Sequence, residues 1–279
     1  MSVLQAILLG IVQGITEFAP ISSSGHLILV PWAFGWNIVN DPALNKSFDV
    51  ALHMGTFIGA VIYFRHDLWV YIKAFFGSIG RRRIETTNER MAWAIVVGTI
   101  PGVIVGAAFE STIEDKLGQP VIIAVMLAVL GVVLYAVDRV ARHDRGIDSI
   151  RPRTGLFVGI AQALALQPGV SRSGITITAS RAIGLDRETA ARFSFLLALP
   201  IIAGAGAAKG IDLLQTGFQG YLPQFIAGFA AAAISGFLVI WFLLRYLRRH
   251  DFFWFMIYRL AVAAIVIGLV ASGVRSGTI

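Results

Sequence analysis

A run of residues near the N-terminus concentrates side chains that could bind and attack a phosphate group. It extends from Gln13 to His26 and contains Glu17, Pro20 and three consecutive serines. Pro20 is expected to end one helix and the serines to cap the next, which leaves free backbone amides beside three hydroxyls. Helix N-termini of this kind bind anions, and Gly25 allows close approach to the backbone. The run therefore predicts an anion-binding loop.

The same run offers a nucleophile and a proton acceptor. Ser23 and His26 are three residues apart, so they share one face of a helix that begins at the serines. His26 could then take a proton from a serine hydroxyl, while Glu17 orients the imidazole or binds a cation. The structural alternatives are a packed histidine and serines that only cap the helix. Spacing does not determine which serine would attack.

A second run, Pro168 to Gly174, carries Ser171, Arg172 and Ser173. A guanidinium offers a planar fork of donors that matches phosphate oxygens. Two such loops facing each other would suit a diphosphate, whereas a carboxylate needs fewer donors. An ionisable residue inside an apolar segment costs at least ~2.5 kcal/mol on insertion scales and points to function. The alternative for Glu17 and Arg172 is a purely structural ion pair between the loops.

The two runs belong to segments that resemble each other at a fixed offset. The residues Gly10, Ile11, Gln13, Ser22, Ser24, Gly25 and Gly35 recur as Gly159, Ile160, Gln162, Ser171, Ser173, Gly174 and Gly184. Three predicted spans lie between the copies, so the copies would enter the membrane from opposite sides. Interrupted helices that meet near the midplane are typical of such inverted repeats. The alternative is that both segments cross the membrane as kinked helices.

Composition indicates the environment of these segments. Hydrophobic residues make up 57% of the 279-residue chain, charged residues 14%, and the mean hydropathy is +0.76. A soluble domain keeps about 25% charged residues. Predicted spans cover Phe48–Phe64, Ala92–Phe109, Val121–Val137, Phe193–Ala208, Tyr221–Leu244 and Phe252–Ala271.

These features predict an all-α polytopic membrane protein with six transmembrane helices and two re-entrant helical hairpins in an inverted-topology repeat. We expect a single integral membrane domain over 1–279, with halves of approximately 1–137 and 154–279 joined by a cytoplasmic loop, 138–153. Its partners would be membrane lipids, and the sequence is compatible with a homodimer.

The charge and cysteine content exclude several classes of protein. The net charge is +7, but the basic residues cluster beside apolar spans, which marks cytoplasmic loops and contact with anionic lipid rather than nucleic acid. The chain has no cysteine, so it has no disulfide, thiolate nucleophile or Cys-based metal site. The first basic residue is Lys46, so no cleavable signal peptide is expected.

The two runs resemble the two signatures of the undecaprenyl-diphosphate phosphatase family, also called the bacitracin-resistance family. Further similarity is seen at Phe48–Gly55, Phe193–Leu197 and Tyr258–Arg259, so the resemblance covers nearly the whole chain. It implies removal of the terminal phosphate from a C55 polyprenyl diphosphate, which yields the lipid carrier used in cell-wall synthesis. It also implies a divalent cation, Mg²⁺ or Ca²⁺, and a bacterial inner-membrane location with the site opening to the extracytoplasmic side.

The resemblance also implies roles for individual residues. Glu17, Ser23, His26 and Arg172 match the family's catalytic positions, and Glu17 is expected to bind the metal ion. The predicted substrate-binding residues are Ser22, Ser24, Gly25, Ser171, Ser173 and Gly174. Gln13 departs from the glutamate found in many members, which puts a two-carboxylate metal site in doubt.

A transporter or flippase of prenyl phosphate lipids is the rival prediction, because broken helices at midplane are also transporter architecture. An anion channel is the weaker third reading, because Glu17 would repel anions. Phosphate release by purified protein in detergent distinguishes the first two, since an enzyme needs no second compartment.

Overall fold

The chain folds almost entirely into helices. The structure, a computed structural model, describes residues 1–36 and 41–278, apart from the side chains of 109–116, 209, 212 and 214–216. In the described part, 3₁₀ turns cover Ile147–Ser149 and Leu164–Leu166, and the β-type backbone pairing is an isolated bridge between Arg145 and Leu185. The α-helices are α1 Val3–Phe18, α2 Ser23–Phe34, α3 Pro42–Tyr63, α4 Arg65–Arg81, α5 Thr87–Leu117, α6 Pro120–Val140, α7 Pro152–Ala163, α8 Arg172–Ala182, α9 Arg187–Thr216, α10 Leu222–Tyr246 and α11 Phe253–Ala271.

Among the described residues, five helices are long and apolar enough to cross a membrane, and a sixth span results if α3 and α4 are taken together. The five lie within α5, α6, α9, α10 and α11. This confirms an all-α polytopic membrane protein. The α3–α4 pair bends by 83° at Phe64, and α4 exposes the large apolar side chains Trp69 and Phe76. The sequence analysis treated the basic residues that follow the predicted span Phe48–Phe64 as part of a cytoplasmic loop, whereas the structure shows the helix α4 there.

Both predicted interruptions are present as helix–loop–helix pairs. Helices α1 and α2 have 16 and 12 residues, and α7 and α8 have 12 and 11. Each is shorter than the ~20 residues that a full span requires. The first break follows Phe18, where Ala19 turns to an extended conformation ahead of Pro20. The second contains Pro168, whose ring likewise cannot continue a helix.

Helices of the N-terminal part of the chain pack on helices of the C-terminal part. The pairs are α1 and α3 with α10, α5 with α7, and α6 with α11. Glycines permit the closest of these approaches: a Cβ at Gly159 of α7 would lie 2.7 Å from the Gly98 Cα of α5. Its counterpart in the repeat, Gly10 of α1, faces the Gly228 carbonyl of α10 in the same way. Small residues at such contacts are typical of membrane helices. The intertwined packing brings the two broken pairs together.

Candidate active site

The two interrupted loops are joined by direct hydrogen bonds. The Ser22 Oγ accepts from the Gly169 amide at 3.1 Å, and the Ser173 hydroxyl donates to the Ala19 carbonyl at 3.0 Å. Ser22 and Ser171 are the N-caps of α2 and α8, and both adopt positive φ, at 75° and 73°. Non-glycine residues rarely adopt this backbone conformation, and such strain clusters at functional sites. The matching geometry supports the internal repeat.

Arg259 of α11 fastens both loops to the helix bundle. Its guanidinium is 0% exposed and donates to the carbonyls of Pro20 in the first loop and Gly169 in the second, at 3.1 and 3.0 Å. Further bonds reach the carbonyls of Leu127 at 2.7 Å, Met126 at 3.2 Å and Val170 at 3.3 Å. The sequence analysis recognised Arg259 only as part of a short supporting motif. A buried charge in an apolar span was the signal that could have identified it.

Arg259→Leu is expected to lower the unfolding free energy by more than about 2 kcal/mol, because several buried carbonyls lose their donor. Phosphatase activity should fall with it. Arg259→Lys should recover little, since an ammonium cannot reproduce the planar fork. Thermal unfolding in detergent measures the effect, with Arg275→Leu as a matched control, because among the described carbonyls Arg275 donates to that of Ala33 alone. Arg259→Leu unfolding at the wild-type temperature would contradict this role.

Glu17 is the centre of the site. Its Oε2 accepts hydrogen bonds from the Ser23 hydroxyl at 2.7 Å and from the Gln13 amide at 2.9 Å. The His53 Nε2 lies 3.5 Å from the same oxygen, and a guanidinium nitrogen of Arg172 lies 3.8 Å from Oε1. Glu17 itself is buried. The carboxylate is therefore placed to accept the proton of Ser23 directly.

Arg172 lies close to Glu17 but forms no hydrogen bond with it. The 3.8 Å separation is too long for a hydrogen bond, and the buried NH1 has no hydrogen-bond partner in the described part of the chain. Arg172 is also the first residue of α8, so the positive end of that helix adds to its charge. A purely structural ion pair would be closer and saturated. The arrangement leaves donors for an incoming anion.

His26 is not where the sequence analysis expected it to act. Its Nδ1 donates to the Ser22 carbonyl at 2.7 Å, so its Nε2 accepts from the Tyr258 hydroxyl at 2.8 Å. Within the described structure, no hydrogen bond joins His26 to Ser23 or Glu17. In this structure Glu17 does not orient the His26 imidazole, because both ring nitrogens have other partners, and the alternative that Glu17 binds a cation stays a prediction. His26 instead contacts the loop immediately before Ser23, through the Ser22 carbonyl.

Around the predicted substrate-binding residues, the side-chain hydroxyls and the backbone amides have different partners. Ser22, Ser171 and Ser173 are buried, and their hydroxyls bond within the protein. The amides of Gly25 and Gly174 donate to the cap hydroxyls of Ser22 and Ser171. By contrast, the amides of Ser23, Ser24, Arg172 and Ser173 donate to no described acceptor. Those amides are therefore available to bind an anion at the two helix N-termini.

A cavity of about 430 Å³ adjoins this cluster. Its polar lining comprises Ser23, Ser24, Asn45, Lys46, Asp49, His53, Ser171 and Arg172. Its remaining wall is largely apolar and includes Leu27, Ile28, Leu166 and Ile202. The cavity thus combines polar and charged groups that suit an anionic headgroup with apolar groups that suit a hydrocarbon chain.

The residues around Glu17 can contribute to a cation site but cannot complete one. Among the described residues, no group of three or more His, Asp or Glu side chains is arranged to hold a metal ion. Glu17 and His53 are two potential ligands, and Gln13 adds a buried Oε1 without a hydrogen-bond partner. Mg²⁺ sites in phosphoryl-transfer enzymes often use one or two protein ligands together with substrate phosphates. The set therefore fits a cation that shares its coordination with the substrate.

The fold and site together define a polytopic membrane protein in which two broken helix pairs bring a buried acid, Glu17, next to a serine and an arginine that line a cavity of about 430 Å³. The chain belongs to the bacitracin resistance protein BacA family, whose family model matches residues 6–265. It is 48% identical to the undecaprenyl-diphosphatase of Moorella thermoacetica over 269 residues, covering 96% of this chain and 98% of that protein. The undecaprenyl-diphosphatases of Pelotomaculum thermopropionicum and Thermomicrobium roseum are 45% and 44% identical, covering 98% and 97% of this chain and 98% and 99% of theirs.

Proposed function

We propose that this protein hydrolyses undecaprenyl diphosphate to undecaprenyl phosphate and inorganic phosphate. The product is the lipid carrier of cell-wall synthesis, and its regeneration would confer bacitracin resistance. The observation that carries the proposal is the 2.7 Å hydrogen bond from the Ser23 hydroxyl to the buried Glu17, beside Arg172 and at the cavity wall. A serine hydrogen-bonded to a carboxylate base beside an anion-binding group suits phosphoryl transfer through a covalent phosphoserine.

In the first step, the Ser23 Oγ attacks the terminal phosphorus while its proton passes to Glu17. The bond from that phosphorus to the bridging oxygen breaks, and undecaprenyl phosphate leaves. Arg172 and the free amides of the two loops stabilise charge on the equatorial phosphate oxygens. The serine now carries the phosphoryl group, and Glu17 holds one proton.

In the second step, water attacks the phosphoserine and the Ser23 Oγ–P bond breaks. Glu17 returns its proton to the serine oxygen. One proton of the water stays on the released phosphate and the other goes to solvent, so both residues are restored. His26, which was predicted to be the base, serves in this scheme to position the loop through its bond to the Ser22 carbonyl.

A divalent cation, Mg²⁺ or Ca²⁺ by family resemblance, would neutralise phosphate charge when bound, with Glu17 as its protein ligand. The lipid tail would lie along Leu27, Ile28 and Ile202, which keeps the substrate partly in the bilayer. We place the chain in the bacterial inner membrane, since its basic clusters mark the cytoplasmic side. The same charge pattern supports a site that opens to the extracytoplasmic side.

The test is phosphate release from a C55 polyprenyl diphosphate by purified protein in detergent, with and without chelator. We expect stoichiometric release of one phosphate per lipid, and inhibition by the chelator. Detergent removes the second compartment, so a transporter would bind the lipid without releasing phosphate. Binding without release would overturn the proposed function.

A further inference from the structure

Helix α4 lies outside the site, and its orientation differs sharply from that of the helix before it. The chain bends by 83° between α3 and α4. Helix α3 has 22 residues, which is enough to cross the hydrocarbon core by itself. A helix at 83° to a spanning helix runs close to the membrane plane. The 17 residues of α4 therefore lie at the level where α3 leaves the hydrocarbon.

One face of α4 is fixed to the helix bundle. Tyr71 and Ser78 are buried on this face. The Ser78 hydroxyl accepts a hydrogen bond from the Trp93 indole of α5 at 2.8 Å. Asp67 accepts one from the Arg192 guanidinium of α9 at 2.6 Å. These contacts hold α4 to two other helices, so its depth in the membrane is coupled to theirs.

A second face of α4 carries a row of exposed apolar side chains, here called the apolar stripe. Trp69, Ile72, Phe76 and Ile79 follow one another at intervals of three, four and three residues. This spacing places them along one side of a helix. They are 60%, 49%, 66% and 47% exposed. Single exposed apolar residues are ordinary, but a continuous row of this kind marks a surface that contacts lipid or another protein.

Positive charge borders the apolar stripe. The Lys73 ammonium lies 4.5 Å from the centre of the Trp69 ring, with its stem along the stripe. Arg82 and Arg83 directly follow the last turn of α4, and both are exposed. Within the described part of the chain, Lys73 and Arg82 have no acidic partner, while Arg83 is 3.9 Å from Glu85. Apolar and cationic faces on one helix are typical of helices that lie in a membrane surface.

We propose that α4 is an interfacial helix that docks on anionic phospholipid of the cytoplasmic leaflet. The apolar stripe lies among the upper acyl chains, and Lys73 and Arg82 contact the lipid phosphates. Tryptophan and basic residues are the side chains that prefer this depth. A second copy of the chain fits less well, because a two-fold contact through the same stripe would bring like charges together. The proposal goes beyond the proposed function and does not depend on it.

A fluorophore attached beside the basic residues tests this docking. The chain has no cysteine, so Phe76→Cys gives a single attachment site for a bimane label. The labelled full chain is placed in vesicles of equal parts phosphatidylcholine and phosphatidylglycerol, with one lipid brominated at a time. Brominated phosphatidylglycerol should quench the label more strongly than brominated phosphatidylcholine. Adding Lys73→Gln and Arg82→Gln should reduce this preference by up to about fivefold for each charge removed.

Two controls separate local binding from general contact with lipid. Ile265→Cys on α11 is the matched label position, because Ile265 is 61% exposed and Phe76 is 66% exposed. Its label should be quenched equally by the two brominated lipids. Arg275→Gln is the matched charge variant, because Arg275 follows the far end of α11, and it should leave the preference at residue 76 unchanged.

Equal quenching by the two lipids at residue 76 would overturn the preference for anionic lipid. A preference that survives Lys73→Gln with Arg82→Gln would overturn the assignment to these residues. A label that neither lipid quenches would overturn the docking itself. In that case, quenching that returns as the protein is diluted in lipid would assign the stripe to a second copy of the chain. None of these measurements involves phosphate release, so a failure here is distinct from a failure of the proposed enzyme.

Discussion

Ser23→Ala is expected to lower kcat for phosphate release by about 10⁴-fold or more, because the attacking oxygen is removed. KM should change little, since the amides of the two loops and Arg172 remain to bind the diphosphate. Ser24→Ala is the matched control, and it should stay within about tenfold of wild type because catalysis does not use its hydroxyl. Steady-state phosphate release from the C55 diphosphate measures both variants.

The structure distinguishes Ser23 from Ser24, which spacing in the sequence could not do. Both line the cavity, but Ser23 is the one that donates to Glu17. If Ser24→Ala were the inactive variant and Ser23→Ala retained turnover, the nucleophile assignment would be wrong while the loop would stay implicated. A trapped phosphoserine located at residue 23 by mass spectrometry would confirm the two-step scheme.

Arg172→Ala should cost about 10³-fold in kcat/KM, in the range found for arginines that stabilise phosphoryl-transfer transition states. The loss should appear mainly in kcat, because charge on the phosphate oxygens develops as the bond breaks. Arg172→Lys should restore only part of the activity, since an ammonium keeps the charge but lacks the fork of donors. The same phosphate-release assay, at saturating and limiting substrate, separates the two parameters.

Ser22→Ala is the comparison for Arg172→Ala. Ser22 is buried, and its hydroxyl joins the Gly25 and Gly169 amides rather than contacting the cavity. Its loss should loosen the loops, with a smaller effect on turnover than that of Arg172→Ala. Comparable turnover by wild type and Arg172→Ala would eliminate Arg172 from the chemistry.

The breaks in the helices were predictable from local chemistry. Pro20 and Pro168 cannot continue a helix, and Ser22 and Ser171 are good N-caps, so both interruptions could be placed within a few residues. Helix α4 was not predicted. Its basic residues were read as a loop, although Trp69 and Phe76 show that it also presents apolar side chains.

Partnerships inside the site were less predictable. Proximity in sequence suggested that His26 would serve Ser23, yet its imidazole bonds to the Ser22 carbonyl and to Tyr258 from α11. The histidine beside Glu17 is His53, which is 36 positions away in the chain. The residue pattern of a single segment could not have predicted this contact. The position of α3 depends on its packing against α1 and α10.

By itself, the sequence determined the membrane class, the two broken helix pairs and the inventory of an acid, serines and an arginine. These follow from composition and from backbone preferences that act within a few residues. The tertiary structure alone decided which groups meet: Ser23 with Glu17, His53 on the same carboxylate, and Arg259 across both loops. Those contacts join helices distant in the chain, and they depend on close packing that no local rule specifies.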